Sequence, residues 1–214
     1  MLISDFAICL GVRSFKDNLK IIDVFSREGG KFSALLRVGK KTTPPTPLSL
    51  LKIECFKKEF GMATVKNLEV VQSNSGATLS PVAATTSLFI AELIYKTLPE
   101  HYVNGRVYEL LFEAAEDIKQ NPNSPLTAIK SLLLFLKELG VLSSAEDLHQ
   151  YETLSVQLQQ FISSTIEKRD FEQILTSIEK KTIMNFCLKH LRIHFQTKID
   201  INSLEYFHIV FQMQ

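Results

Sequence analysis

The chain has 214 residues, 45% hydrophobic and 22% charged, which is close to the globular average of about 45–50% and 25% and excludes a disordered chain. Its 24 Lys and Arg against 23 Asp and Glu give a formal net charge of +1, a total that by itself points to neither a polyanionic partner nor a membrane. The charge is unevenly spread, however: residues 1–80 hold 12 basic against 7 acidic side chains, a net +5, whereas 81–214 hold 12 against 16, a net −4.

The opening MLISDFAICLGVR contains Asp5 and no early Lys or Arg, so it reads as a strand and not as a signal peptide. Apolar or β-branched runs at 3–12, 19–26, 31–37, 48–56 and 68–72 predict five short strands. They are separated by turn signals at Asp17-Asn18, Glu28-Gly29-Gly30, the Lys/Thr/Pro loop 40–47 and Phe60-Gly61. Five strands in this length predict a small barrel. An OB-fold, a five-stranded Greek-key barrel, fits the pattern, and an SH3-like barrel reads almost the same.

The small polar stretch 73–77 marks a junction, giving an expected barrel over 1–78 and a helical unit over 79–214. Ser80-Pro81 and Ser124-Pro125 each place a capping hydroxyl before a proline, a helix start. The second helix carries Leu126, Ile129, Leu132, Leu133, Leu136 and Leu139 at the spacing of one buried face and stops at Gly140, predicting a central helix. Further helical patterns cover 105–120, 145–165, 170–177 and 179–195, and strand-like character returns only in the final INSLEYFHIVF. The fold class expected is therefore a multi-domain β + α chain, a five-stranded barrel followed by a helical bundle. The longest apolar run, Leu132 to Leu136, falls far short of the ~20 residues that span a bilayer, so no membrane partner is expected. Cys9, Cys55 and Cys187 lie far apart with no CxxC pair, which signals neither a disulfide framework nor a zinc ribbon and suits a reducing cytoplasm.

In the basic front half, charges alternate with aromatic rings: Arg13, Phe15, Lys16, Lys20, Phe25, Arg27, Lys31, Phe32, Arg37, Lys40 and Lys41. Lysine and arginine neutralise phosphates and release counterions, while exposed rings stack on bases for roughly 1–3 kcal/mol each. The candidate DNA-binding set is Arg13, Lys16, Arg27, Lys31, Phe32, Arg37, Lys40 and Lys41. The alternative is a solvated barrel surface with Phe25 and Phe32 in its core.

These residues carry a resemblance. The run from Arg13 through Ile21-Ile22-Asp23-Val24-Phe25-Ser26-Arg27-Glu28-Gly29-Gly30 to Lys31, closing on Arg37-Val38-Gly39-Lys40-Lys41, resembles the opening of the RecO family of bacterial recombination mediators. The likeness continues through 48–59 and Glu69, then Phe89-Ile90-Ala91-Glu92-Leu93, Val107-Tyr108-Glu109-Leu110-Leu111, Phe135-Leu136-Lys137-Glu138-Leu139-Gly140 and Asn202-Ser203-Leu204-Glu205. It implies an amino-terminal OB domain, a helical domain, and a protein without enzymatic activity that binds single- and double-stranded DNA and anneals complementary strands. It also implies a RecR-type partner and contact with the acidic C-terminal tail of the single-stranded-DNA-binding protein, in order to load recombinase onto coated DNA. Carried over residue by residue, the DNA role falls on Arg13, Lys31, Arg37, Lys40 and Lys41, with Lys16 and Arg27 at positions where the family varies.

The chain departs from the family pattern after Leu139-Gly140, where a four-cysteine zinc motif is absent, so no cofactor is expected there. Cys187, His190 and His194 share one face of a predicted helix, but three ligands without a Glu between the histidines do not make a zinc-hydrolase motif. A core thiol beside amphipathic histidines is the preferred reading of the three. No G-x-S-x-G, Walker loop or G-x-G-x-x-G occurs, and no catalytic site is read. On the central helix, Lys130 and Lys137 share one side with Leu133 and read as solvated lysines at the rim of a buried face; by the family resemblance they are also a candidate pocket for an acidic, apolar-ended tail. A competing expectation is an interaction adaptor whose barrel grips protein and no DNA.

Overall fold

The computed structural model describes residues 2–39, 43–56, 62–75, 78, 80–142, 156–168, 176–195, 201–203 and 206. Five strands, β1 (Leu2–Lys16), β2 (Leu19–Ser26), β3 (Gly30–Arg37), β4 (Leu50–Phe56) and β5 (Ala63–Gln72), occupy the expected runs, with β5 starting earlier than its apolar stretch suggested. They close into a barrel in the order β1-β2-β3-β5-β4. All pairings are antiparallel except β3 with β5, which meet in parallel at Ala34/Ala63 and Leu35/Thr64. That order and its parallel closure are those of the OB-fold, which decides between the two barrels the sequence left open. β1 reaches both neighbours because it bends at irregularities between Cys9 and Gly11 and between Ser14 and Lys16.

Alternation fills the barrel. Cys9, Ile22, Val24, Phe32, Ala34, Leu36, Leu51, Ile53 and Cys55 point inward and form one core. The opposite face of β1 and β2 is not left to water: Ile8, Leu10 and Phe25, with Leu48, join a second, larger core built mostly from helices. Hence β2 is buried on both faces through its second half.

The helices are α1 (Pro81–Thr97), α2 (Gly105–Gln120), α3 (Leu126–Glu138), α4 (Val156–Lys168) and α5 (Ser177–Phe195). At the first start, Ser80 Oγ accepts from Val82 N at 3.2 Å with Pro81 behind it. Asn104 caps α2, its Oδ1 accepting from Arg106 N and Val107 N. α3 is the central helix, packing on α1, α2, α4 and α5 and burying Leu132, Leu133, Phe135 and Leu136, each side chain contributing about 1.5–3 kcal/mol. Its end is closed at Gly140, whose φ of +69° suits glycine, while Val141 N returns to Leu136 O at 2.9 Å.

The closing segment departs from expectation: Ser203 and Tyr206 have helical backbone, not strand. Two carboxylate oxygens of Glu92 on α1 receive Asn202 N, Ser203 N and Ser203 Oγ at 2.7–2.9 Å, the donors that a strand pairing would have engaged elsewhere. The expected helical stretch around 145–155 and nearly all of that over 170–177 lie outside the described residues. Among the described residues no helix is long and apolar enough to cross a membrane.

Candidate nucleic-acid interface

Strand register sorts the candidate residues into rows across the outer face of β1, β2 and β3. From one end to the other these rows are Ile8/Phe25/Lys31, Gly11/Asp23/Ser33, Arg13/Ile21/Leu35 and Lys16/Leu19/Arg37. The helices roof the first row, through the core that holds Ile8 and Phe25, and leave the last row open.

Lys31 therefore does not face solvent, and its assignment to DNA is corrected. It is 7% exposed, and Nζ donates to Tyr95 O at 2.6 Å and Leu98 O at 2.5 Å, carbonyls at the C-terminal end of α1. The ammonium also lies 4.8 Å from the centroid of the Tyr95 ring and 4.0 Å from Glu100. Burial lowers its pKa against the opposing pull of Glu100 and Asp23. Phe32 is corrected as well: β3 alternation turns its ring into the barrel core, where no base can reach it.

At the open end the basic side chains do gather. Lys16 and Arg37 are exposed, align across Leu19, and border a cleft whose floor is the Asp17-Asn18 turn and whose far wall is Val38-Gly39. The turn is pinned by Val38 N donating to Asn18 O at 3.0 Å. Beside it Phe15 is half exposed, with Lys16 Nζ 5.6 Å from its ring. One row in, Arg13 Nε donates to Asp23 Oδ2 at 3.1 Å and Nη2 to Oδ1 at 3.4 Å. Asp23, itself buried, also accepts Ser33 Oγ at 2.5 Å. The Arg13–Asp23 hydrogen bond raises the Arg13 pKa and fixes the guanidinium across the sheet, half of its side chain still in water.

Arg27 belongs to neither group. It lies beyond the far end of β2, whose 8 residues span about 25 Å, beside Asp5 and Glu28. Lys40 and Lys41 fall outside the described residues and follow Gly39 directly in sequence.

The tail pocket on the central helix does not form as expected. Leu133 is wholly buried in the helical core and cannot line a surface, and Lys130 Nζ lies 2.6 Å from Asp117 Oδ2. Lys137 is exposed on the last turn. Cys187, His190 and His194 share a helix but no ligand geometry. Cys187 is buried with its thiol pKa driven up by desolvation, His190 packs on Phe186 at 4.4 Å, and His194 lies edge-on to Phe195. Among the described residues no three His, Cys, Asp or Glu side chains are arranged to hold a metal ion.

Two features escaped the sequence reading. Asp23 is an anchor whose role was hidden because its partners, Arg13 and Ser33, are each 10 residues away on neighbouring strands. On the other side of the barrel Phe6, Lys52 and Phe56 stand exposed, with Lys66 Nζ 5.8 Å from the Phe56 ring. The alternation Lys52-Ile53-Glu54-Cys55-Phe56 was the available signal for that face.

Residues 1–74, which carry all five strands, match the family model described as Recombination protein O N terminal. The amino-terminal barrel is thus the part of the chain that matches the RecO family model, and the chain as a whole is similar to DNA repair proteins RecO. It is 34% identical over 143 residues to the DNA repair protein RecO of Francisella tularensis subsp. novicida, covering 65% of this chain and 57% of that protein. The corresponding protein of Phocaeicola vulgatus is 24% identical over 155 residues, covering 69% and 64%, and that of Listeria monocytogenes serotype 4b is 27% identical over 111 residues, covering 50% and 44%. Each match thus spans less than two thirds of the relative's own length. The RecO likeness drawn from the run between Arg13 and Lys41 falls within the matched region, and it is there that the barrel presents Arg13, Lys16 and Arg37.

Proposed function

We propose that this chain acts in DNA repair as a RecO-type recombination mediator, binding single- and double-stranded DNA and annealing complementary strands. The observation that carries the reading is the grouping of Arg13, Lys16 and Arg37 at the unroofed end of an OB barrel, beside the turn between its first two strands. Strand 2–3 faces and that turn are where OB-folds take oligonucleotides. That the similar proteins are DNA repair proteins supports it. Annealing needs no covalent chemistry: cations that neutralise two phosphate chains let their bases pair, and the reading assigns the chain no enzymatic step. Loading of recombinase onto coated single strands, with a RecR-type partner and the acidic tail of the single-stranded-DNA-binding protein, completes the proposal at the level of partners. The exposed face of Phe6 and Phe56, which carries Lys52 and Glu54 together, has the mixed charge and aromatic content of a protein contact.

Fluorescence anisotropy with single- and double-stranded oligonucleotides across a salt series tests this. Three phosphate contacts on a single strand give a slope of log K against log salt near −2, at about −0.7 per contact. Lys16→Glu with Arg37→Glu should weaken binding and flatten the slope by about 1.4, while Arg27→Glu leaves the slope unchanged. Absence of salt-dependent binding to either oligonucleotide refutes the reading and leaves the protein-gripping adaptor.

A further inference from the structure

Where the barrel meets α1, a cleft of about 340 Å³ opens next to the basic strip. Its walls are Leu10 and Arg13 from β1, Leu88 and Tyr95 from α1, and Tyr206 from the closing segment, over a floor at Gly11. Tyr206 is 62% exposed and Leu88 48%, both unusually open for large rings and aliphatic chains. Two carboxylates border the cleft, and both have committed partners. Asp23 accepts from Arg13 and Ser33; Glu92 accepts from Asn202 N, Ser203 N and Ser203 Oγ, and pairs with Lys96 at 2.9 Å. What the cleft presents is therefore an apolar slot with an open aromatic ring and, at its rim, the Arg13 guanidinium, paired with Asp23 on one edge and half exposed on the other.

That combination suits a nucleobase with its phosphate outside. Arg13 is shared between the cleft and the strand that carries Lys16, three residues on, a separation of about 10 Å along β1. The path from Lys16, beside Arg37 of β3, past half-exposed Phe15 to Arg13 thus runs along β1 into the slot. We infer that this cleft between barrel and α1 is a base-binding subsite, in which one base of a single strand stacks on Tyr206 over Gly11 while Arg13 holds the adjoining phosphate. The inference rests on the reading of the barrel as a single-strand DNA site and deepens it, assigning the stacking role to the closing segment of the chain.

Gly11 supplies a clean test. Gly11 lines the cleft and a Cβ built there meets no atom within 4 Å, so a side chain can start from this position without meeting the barrel. Gly11→Leu, Tyr206→Ala and Tyr206→Phe are titrated with a fluorescent oligothymidylate and with the same backbone carrying abasic sites. Gly11→Leu and Tyr206→Ala should each weaken oligothymidylate binding about 5- to 100-fold, roughly 1–3 kcal/mol at about 1.4 kcal/mol per decade, with the salt slope unchanged. Tyr206→Phe, which keeps the ring, should bind like wild type. Abasic sites should weaken wild type by a similar factor and weaken Gly11→Leu no further. If Gly11→Leu and Tyr206→Ala bind like wild type while Lys16→Glu with Arg37→Glu still binds weakly, the subsite is wrong and the barrel reading survives; a peptide-binding cleft gives that result. If Gly11→Leu loses its fold, the Tyr206 pair decides alone: equal affinities for Tyr206→Ala and wild type overturn the subsite. Wild-type protein that ignores the oligonucleotide overturns both readings together.

Discussion

The Lys31 ammonium donates to the Leu98 carbonyl at 2.5 Å, tying the third barrel strand to the end of a helix 67 residues further along the chain. The charge is well placed there, since the C-terminal carbonyls of α1 are the negative end of the helix and have no intrahelical donors.

Lys31→Met removes that donor and leaves the Tyr95 and Leu98 carbonyls unpaired in the barrel–helix junction. The expected cost is about 1–3 kcal/mol in urea unfolding. DNA affinity and its salt slope should stay as in wild type, because the charge never reaches solvent. A variant of normal stability that binds DNA less steeply with salt would return Lys31 to the nucleic-acid surface.

Beside it, Gly30 has φ of +67°, and a Cβ there would lie 2.1 Å from Tyr102 O. The junction is closed by backbone on both sides, with Lys31 N donating to Tyr102 O at 3.2 Å and His101 N to Lys31 O at 2.7 Å. Gly30→Ala should therefore destabilise by more than about 1 kcal/mol. Gly11→Ala, in open space, serves as the matched control, and equal melting temperatures for the two would contradict the close approach.

Glu92 links α1 to the closing segment. Burial pushes its carboxyl pKa up, but hydrogen bonds from the Ser203 side chain and backbone, Lys96 and Asn202 N outweigh this and hold it below the ordinary carboxylate value. Its folded-state pKa is thus depressed relative to the unfolded chain, so the stabilisation is present above pH ~4.3 and is lost as pH falls through the folded value. Amide hydrogen exchange at Asn202 and Ser203, after correction for intrinsic rate, should accelerate on acidification below about pH 4 in wild type and be fast at all pH values in Glu92→Ala. Unchanged protection in that variant would exclude the anchor.

Cys9, Cys55 and Cys187 are all buried, and desolvation raises their thiols, Cys9 to about 12 and Cys55 to about 11. At pH 8 the native protein should react negligibly with a thiol-disulfide reagent, and all three cysteines should react in denaturant. A fast-reacting thiol in the native state would show that one of these sites opens.

Much of the fold was legible because period and punctuation are local properties. The apolar, β-branched runs at 19–26 and 31–37 mark two strands, Ser80-Pro81 marks a helix start, and Gly140 marks the end of α3. The basic, aromatic-laced front half likewise named Arg13, Lys16 and Arg37 as surface candidates before any register was known. The same reasoning failed at Lys31, Phe32 and Leu133, where the answer depends on which face another element covers. Alternation says that Phe32 and Lys31 point opposite ways; it does not say that the outer direction is roofed by α1.

By itself the sequence determined a barrel followed by helices, an uneven charge, and a RecO resemblance, since each follows from residue order over short spans. Only the tertiary structure decided that β3 closes in parallel on β5, that the helices cap one end of the β1–β2–β3 face, and that Glu92 holds the segment at Asn202 and Ser203. Those outcomes are set by desolvation and hydrogen-bond pairing between groups far apart in the chain, here 110 residues for Glu92 and Asn202, which no local pattern encodes.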